Sequence, residues 1–139
     1  MDFVAAIKNG FRNYARSTGR ASRSEYWYWT LFSTLVSIAG GIIDMGLFGA
    51  ESQGVVGPLL GLALIAPDVA VTIRRLHDLD RRWQWFLIVF TGIGAIVLLV
   101  WFCRKGTTGP NRFGDDPLAA ENLAPSSANI GVPTPPVRS

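Results

Sequence analysis

Four arginines, two aspartates and the only histidine of the chain fall within "RRLHDLDRRWQW", residues 74–85. Two kinds of chemistry use such residues. An imidazole with an orienting carboxylate performs general acid–base work on a nearby nucleophile. Paired guanidinium groups grip phosphate or carboxylate oxygens. The spacing argues against the first, because His77 and Asp78 are adjacent and adjacent residues on a helix do not face each other. Hydroxyls that could serve as nucleophiles, Ser17, Ser22 and Ser24, lie in a distant segment. No catalytic residue is therefore assigned, and the chain is not expected to be an enzyme.

The second chemistry fits better. Arg74 and Arg75 precede Asp78 by four and three residues, so on a helix either can pair with it. "GRASRSEYW", residues 19–27, adds Arg20, Arg23 and Glu25. Glu25 directly precedes an apolar run, where a carboxylate needs water or a partner, and Ser22 or Ser24 can cap the helix that begins there. Arg20, Arg23, Glu25, Arg74, Arg75, His77 and Asp78 are thus expected to form one interfacial network. It either binds lipid phosphate or pins two helix ends together, with Glu25 paired to Arg74 or Arg75. Asp68 is different, an acid inside an apolar run, as proton and cation paths contain. Thr72 is four residues on and Arg75 seven, so a structural pairing is also open. In "GPNRFGDD", Asn111, Arg112, Asp115 and Asp116 form a turn without the alternating ligands of a calcium loop. Cys103 is the sole cysteine, so neither an intrachain disulfide nor a cysteine metal site can form, and no metal or cofactor is expected.

The elements that must position these residues are apolar. Of 139 residues, 49% are hydrophobic, and the mean hydropathy is +0.28. The uncharged stretch 26–43 has 18 residues, 55–73 has 19 with Asp68 as its one charge, and 83–103 has 21 with none. Each meets the length of about 20 residues that crosses a bilayer. The fold expected is an all-α membrane protein: an N-terminal amphipathic interfacial helix, three transmembrane helices at about 26–43, 55–73 and 83–103, and a disordered tail. The membrane domain is 1–118, and the Pro-rich stretch 119–139 carries too little apolar surface to order. Phe3, Ile7, Phe11 and Tyr14 repeat at helical spacing, so the first helix lies on the membrane surface or packs on the protein itself. Residues 1–23 lack the apolar core of a cleavable signal peptide, and the first span is expected to direct its own insertion.

Orientation follows from basic residues. Three spans place nine lysines and arginines with the N-terminus and the loop after span two, and four on the other side. The expectation is a cytoplasmic N-terminus and a periplasmic C-terminus. Arg104 and Lys105, directly after the third span, are discordant. They fit an alternative in which "TGIG", 91–94, breaks 83–103 into a re-entrant hairpin. Basic residues that flank apolar runs follow the positive-inside pattern, so nucleic acid is not an expected partner.

Three segments, "FRNYARSTGRASRSEYWYW" (11–29), "RRLHDLDRRWQW" (74–85) and "GTTGPNRFGDDP" (106–117), together resemble the domain-of-unknown-function 805 family of small bacterial inner-membrane proteins. The resemblance covers residues 1–118 and implies the bacterial cytoplasmic membrane and no particular activity. Two features depart from the family pattern: the charged "LDRR", 79–82, in place of a small-residue turn, and Asp68 after Pro67. The function expected is that of a non-enzymatic integral inner-membrane protein binding anionic lipid headgroups or partner membrane proteins. Homo-oligomerisation is open to it through the small residues Gly40–Gly41, Gly57–Gly61 and Gly92–Gly94. Two alternatives are a small transporter or channel subunit using Asp68, and a membrane-embedded enzyme acting on a lipid headgroup through His77.

Overall fold

The computed structural model describes residues 2–119, and the elements it contains there are helical. Helix α1 spans Phe3–Arg12, α2 Arg23–Phe48 and α3 Val56–Asp78; a 3-10 segment, Trp83–Thr91, and α4, Ile93–Cys103, follow. All but the first residue of the tail expected to be disordered, 119–139, lies outside the described residues.

α2 and α3 form an antiparallel pair. Their 26 and 23 residues run well past the apolar windows, to Phe48 and Asp78. At 1.5 Å per residue they reach about 39 and 35 Å, more than the hydrocarbon thickness. Only 11% and 22% of their apolar windows are buried within the protein. Leu31, Leu35, Ile38, Leu59, Leu62 and Ile65 are exposed, an outward surface suited to lipid rather than water. The pair packs closely at Gly40, where an added Cβ would stand 2.9 Å from Gly57 Cα. Gly61, the other glycine of the expected 57–61 pair, faces open space.

Pro67 lies inside α3. A proline has no N–H, so the carbonyl four residues earlier, that of Ala63, loses its helical donor. The Tyr14 hydroxyl supplies one in its place. α1 is held to the same pair. Ala6 and Gly10 are buried, and Gly10 lies so close to the Trp29 ring that a side chain there would collide with it. Phe11 packs edge-on against Trp29 and Phe32, at 5.4 and 5.7 Å between ring centres. Of the two fits for this helix, these contacts are with the protein; Lys8 and Arg12 point away, exposed.

The segment expected as a third span is built of two pieces. Residues 83–103 do not form one helix. Gly92 turns the chain at φ +71°, and Gly94 passes so close to the Ile88 carbonyl that no side chain would fit. The halves, 9 residues of 3-10 helix and 11 of α-helix, fold back on each other, and neither is long enough to cross. Both outer ends of this hairpin lie at the Asp78 end of α3: Arg75 Nη2 donates to the Phe102 carbonyl at 3.0 Å. Residues 2–22 and 104–116 therefore meet at one end of the α2–α3 pair, not at opposite ends.

Candidate functional site

At that shared end, seven polar or charged residues that would be costly to bury singly are buried together. Arg20, Ser22, Glu25, Arg74, Arg75, His77 and Asp78 are all below a tenth exposed. Three chain segments supply them: the turn 17–22, the first turn of α2 and the last turn of α3. Ser22 caps α2 by accepting from the Glu25 N–H at 3.3 Å. Arginines in the last turn of α3 suit the negative end of its dipole.

Three ion pairs on two carboxylates organise the cluster. Arg74 Nη1 meets Glu25 Oε1 at 2.6 Å, and Asn9 Nδ2 of α1 donates to the same oxygen at 2.6 Å. Asp78 accepts from both Arg75 and Arg20, the latter with Nη2 to Oδ1 at 2.9 Å. Further donors of Arg20 and Arg75 take backbone carbonyls of the C-terminal segment. Arg75 reaches Phe102 and Arg104. Arg20 reaches Thr107, Gly109 at 2.6 Å and Gly114 at 3.4 Å. The Thr107 N–H donates to the Asp78 carbonyl at 2.7 Å. His77 Nδ1 donates to the Gly19 carbonyl at 2.9 Å, while its ring stacks on Phe113 at 4.1 Å and 2°. Asn111 Nδ2 donates to the His77 carbonyl at 2.9 Å, and outside the helices Asp116 accepts from the N–H groups of Gly109 and Leu118, which hold its carboxyl below the usual range.

The arrangement is a latch: two carboxylates and three guanidinium groups tie α1, α2, α3 and the segment after α4. Three arginines against two carboxylates leave an excess of positive charge, and Arg74 Nε and Nη2 and Arg75 Nε have no partner in the protein. Arg23, expected in the network, is exposed beside it, with Nη1 3.3 Å from the Cys103 carbonyl. Arg112 forms an exposed pair with Asp80 at 3.1 Å. Asp115 makes no side-chain hydrogen bond among those of the described residues. Asp68 lies apart, deeper along α3, accepting from Trp29 Nε1 at 2.7 Å and Ser33 Oγ at 3.1 Å; Thr72 donates to its backbone carbonyl. Thr72, four residues on, thus bonds the Asp68 backbone rather than its carboxylate, and Arg75 is turned to Asp78.

Sequence reasoning missed four contributors. Asn9 and Phe113 join the latch from outside the quoted motifs' charged positions. Arg81 stacks over Trp101 and Trp85, at 4.5 and 5.4 Å from the ring centres. Asp44, at the far end of the pair, caps α3 by accepting from the N–H groups of Val55, Val56 and Gly57 at 2.9, 2.8 and 2.6 Å.

The family model described as "Protein of unknown function (DUF805)" matches residues 14–115. The chain belongs to this family. The match begins at Tyr14, which serves the Pro67 gap, and ends just beyond Gly114, so it contains both carboxylates and all three arginines of the latch, with Asn9 and Asp116 outside it. Inner membrane protein YhaI of Escherichia coli (strain K12) is 43% identical over 112 residues, covering 80% of this chain and 93% of the relative. Inner membrane protein YhaH of the same organism is 40% identical over 111 residues, covering 76% and 90%. No solved structure matches the chain. This DUF805 protein is accordingly an integral inner-membrane protein.

The latch makes a sharp prediction about pair identity. Glu25→Arg should destabilise the detergent-solubilised protein, because it replaces the carboxylate partner of Arg74 by a second guanidinium. Adding Arg74→Glu should recover part of the loss by re-forming the pair with charges exchanged, and Asn9 makes the recovery incomplete. Adding Arg75→Glu should worsen it, since Arg75 belongs to Asp78. Thermal unfolding of the three variants decides; equal recovery by both second substitutions would sink the assignment.

Proposed function

We propose that this protein crosses the inner membrane twice, through α2 and α3, keeps both termini in the cytoplasm, and binds anionic lipid headgroups without catalysing a reaction. The observation that carries the reading is a basic recess of about 360 Å³ lined by Leu79, Arg81, Trp101, Arg104 and Lys105. Its ingredients suit a lipid phosphate: three cations converge on one opening, and the Trp101 indole marks the headgroup level. Arg75 positions the wall by holding the Arg104 carbonyl. The arginines first expected to bind phosphate, Arg20, Arg74 and Arg75, are buried, and the protein's own carboxylates and carbonyls occupy most of their donors. Their role in this reading is to hold the recess in place and to add positive charge behind it.

The non-enzymatic reading is supported by the same spending of groups. His77 has one ring nitrogen on the Gly19 carbonyl and one face on Phe113, an arrangement that fixes rather than frees an imidazole.

Binding to nanodiscs tests the proposal. Each basic residue near an anionic surface contributes about 1 kcal/mol, so replacing Arg81, Arg104 and Lys105 by alanine together should weaken retention of phosphatidylglycerol about a hundredfold. Phosphatidylcholine retention should be unaffected, and inorganic phosphate should not compete. Undiminished phosphatidylglycerol binding by the triple variant would overturn the site; competition by phosphate would make it a soluble-anion site instead.

A further inference from the structure

A second recess, which shares no lining residue with the basic one, lies along the α2–α3 pair. It encloses about 290 Å³, and Asp68 is at its wall with Thr30, Ser33, Thr34 and Thr72. Asp68 stands ten residues before Asp78 in α3, about 15 Å along the axis, because the helix runs on past the apolar window. Among the described residues, no lysine, arginine or histidine forms an ion pair with it. A carboxylate at that depth is costly unless its charge is balanced.

The hydroxyls around it point to what balances the charge. Thr30 donates to the Tyr26 carbonyl at 2.9 Å, Thr34 to the Thr30 carbonyl at 2.8 Å, and Thr72 to the Asp68 carbonyl at 2.7 Å. Ser33 donates to the Asp68 carboxylate at 3.1 Å, and the Trp29 N–H is spent on its other oxygen. A hydroxyl has a single proton, so these four can offer the recess only lone pairs. The wall is therefore rich in oxygen acceptors and carries one negative charge. Hard oxygen ligands of this kind suit hard cations. A divalent ion would leave an excess positive charge beside hydrocarbon, whereas a monovalent ion closes the balance. The recess has room for such an ion with several of its waters. The ring of Tyr26 at its rim, one residue after Glu25, places the opening near the aromatic edge of the membrane.

We infer that the Asp68 recess is a binding site for an alkali-metal cation, held by the Asp68 carboxylate with hydroxyl oxygens of Ser33, Thr30 and Thr72. The site is independent of the headgroup recess, and either can fail without the other. Dicyclohexylcarbodiimide, which modifies intramembrane carboxyl groups, reports its occupancy. In detergent at constant ionic strength, wild-type protein should be labelled at Asp68 in choline chloride. Sodium or potassium chloride should slow labelling about threefold once the site is two-thirds occupied. The same salts should raise the melting temperature of wild type over that in choline chloride, and should not do so for Asp68→Asn, which keeps the Trp29 hydrogen bond. Ser33→Ala should shift protection to higher salt. Labelling that neither cation slows would mean a carboxyl that takes only a proton, and would overturn the site. Absence of labelling in choline chloride, with no cation-dependent stabilisation, would overturn it as well.

Discussion

Green fluorescent protein fused after Ser139 should fluoresce in whole cells, and alkaline phosphatase at the same position should be inactive. Alkaline phosphatase inserted between Gly49 and Gln53 should be active. The expectation rests on the hairpin at 83–103, which returns the chain to the end where it started. Every lysine and arginine, 13 in all, precedes Ser24 or follows Ile73, and the α2–α3 connection has none. With three crossings the charge split was nine to four; with two crossings it is thirteen to zero, and Arg104 and Lys105 cease to be discordant. The effect is all-or-none. An active C-terminal phosphatase would mean that Trp83–Cys103 crosses after all, and it would put Arg81 and Arg104 on opposite faces of the membrane, so that the basic recess could not form.

Arg75→Ala should be the most damaging single substitution at the latch. Arg75 is 0% exposed, and its guanidinium holds Asp78 together with the carbonyls of Phe102 and Arg104. Removing one partner of a buried pair leaves the other charge uncompensated, at about 3–5 kcal/mol. That is a large part of the stability of a small domain. Arg75→Lys should recover only part, because an ammonium cannot fork between acceptors as a guanidinium does. Arg112→Ala, by contrast, breaks a pair whose side chains are 51% and 47% exposed, and should cost under about 1 kcal/mol. Unfolding by heat in detergent compares the three. If Arg75→Ala melts with Arg112→Ala, the latch is ornament rather than support.

The latch was partly legible before any coordinates. Charges at the start of one apolar run and the end of the next must meet if the runs pair antiparallel, and Glu25 does meet Arg74. Which arginine it would choose was not legible. Successive residues on α3 differ by about 100° around the axis, and only the position of the C-terminal segment turns Arg75 away. That segment was recognisable as turns from its glycines and prolines. Its docking was not, since Arg20 takes carbonyls 87 to 94 residues away, and no local pattern encodes such a distance. Hydropathy read Trp83–Cys103 as continuous because it sums over the window, whereas the break depends on the φ of one residue, Gly92. Asp44 escaped notice for a similar reason: its three N–H partners lie 11 to 13 residues on, across a loop. The two long apolar helices, α2 and α3, were the most legible part, because length and composition mark both windows.

The closure of Arg20 by the carbonyls of Thr107, Gly109 and Gly114 also sets an order of biogenesis. Synthesis delivers Arg20 first and Gly114 last, so the N-terminal half must wait in the membrane with its charged end unfinished. A chain stopped before Gly106 could still form the ion pairs of Asp78 and Glu25, but Arg20 would lack its three carbonyl partners. The last residues of the family domain thus complete a set of contacts that the first ones begin.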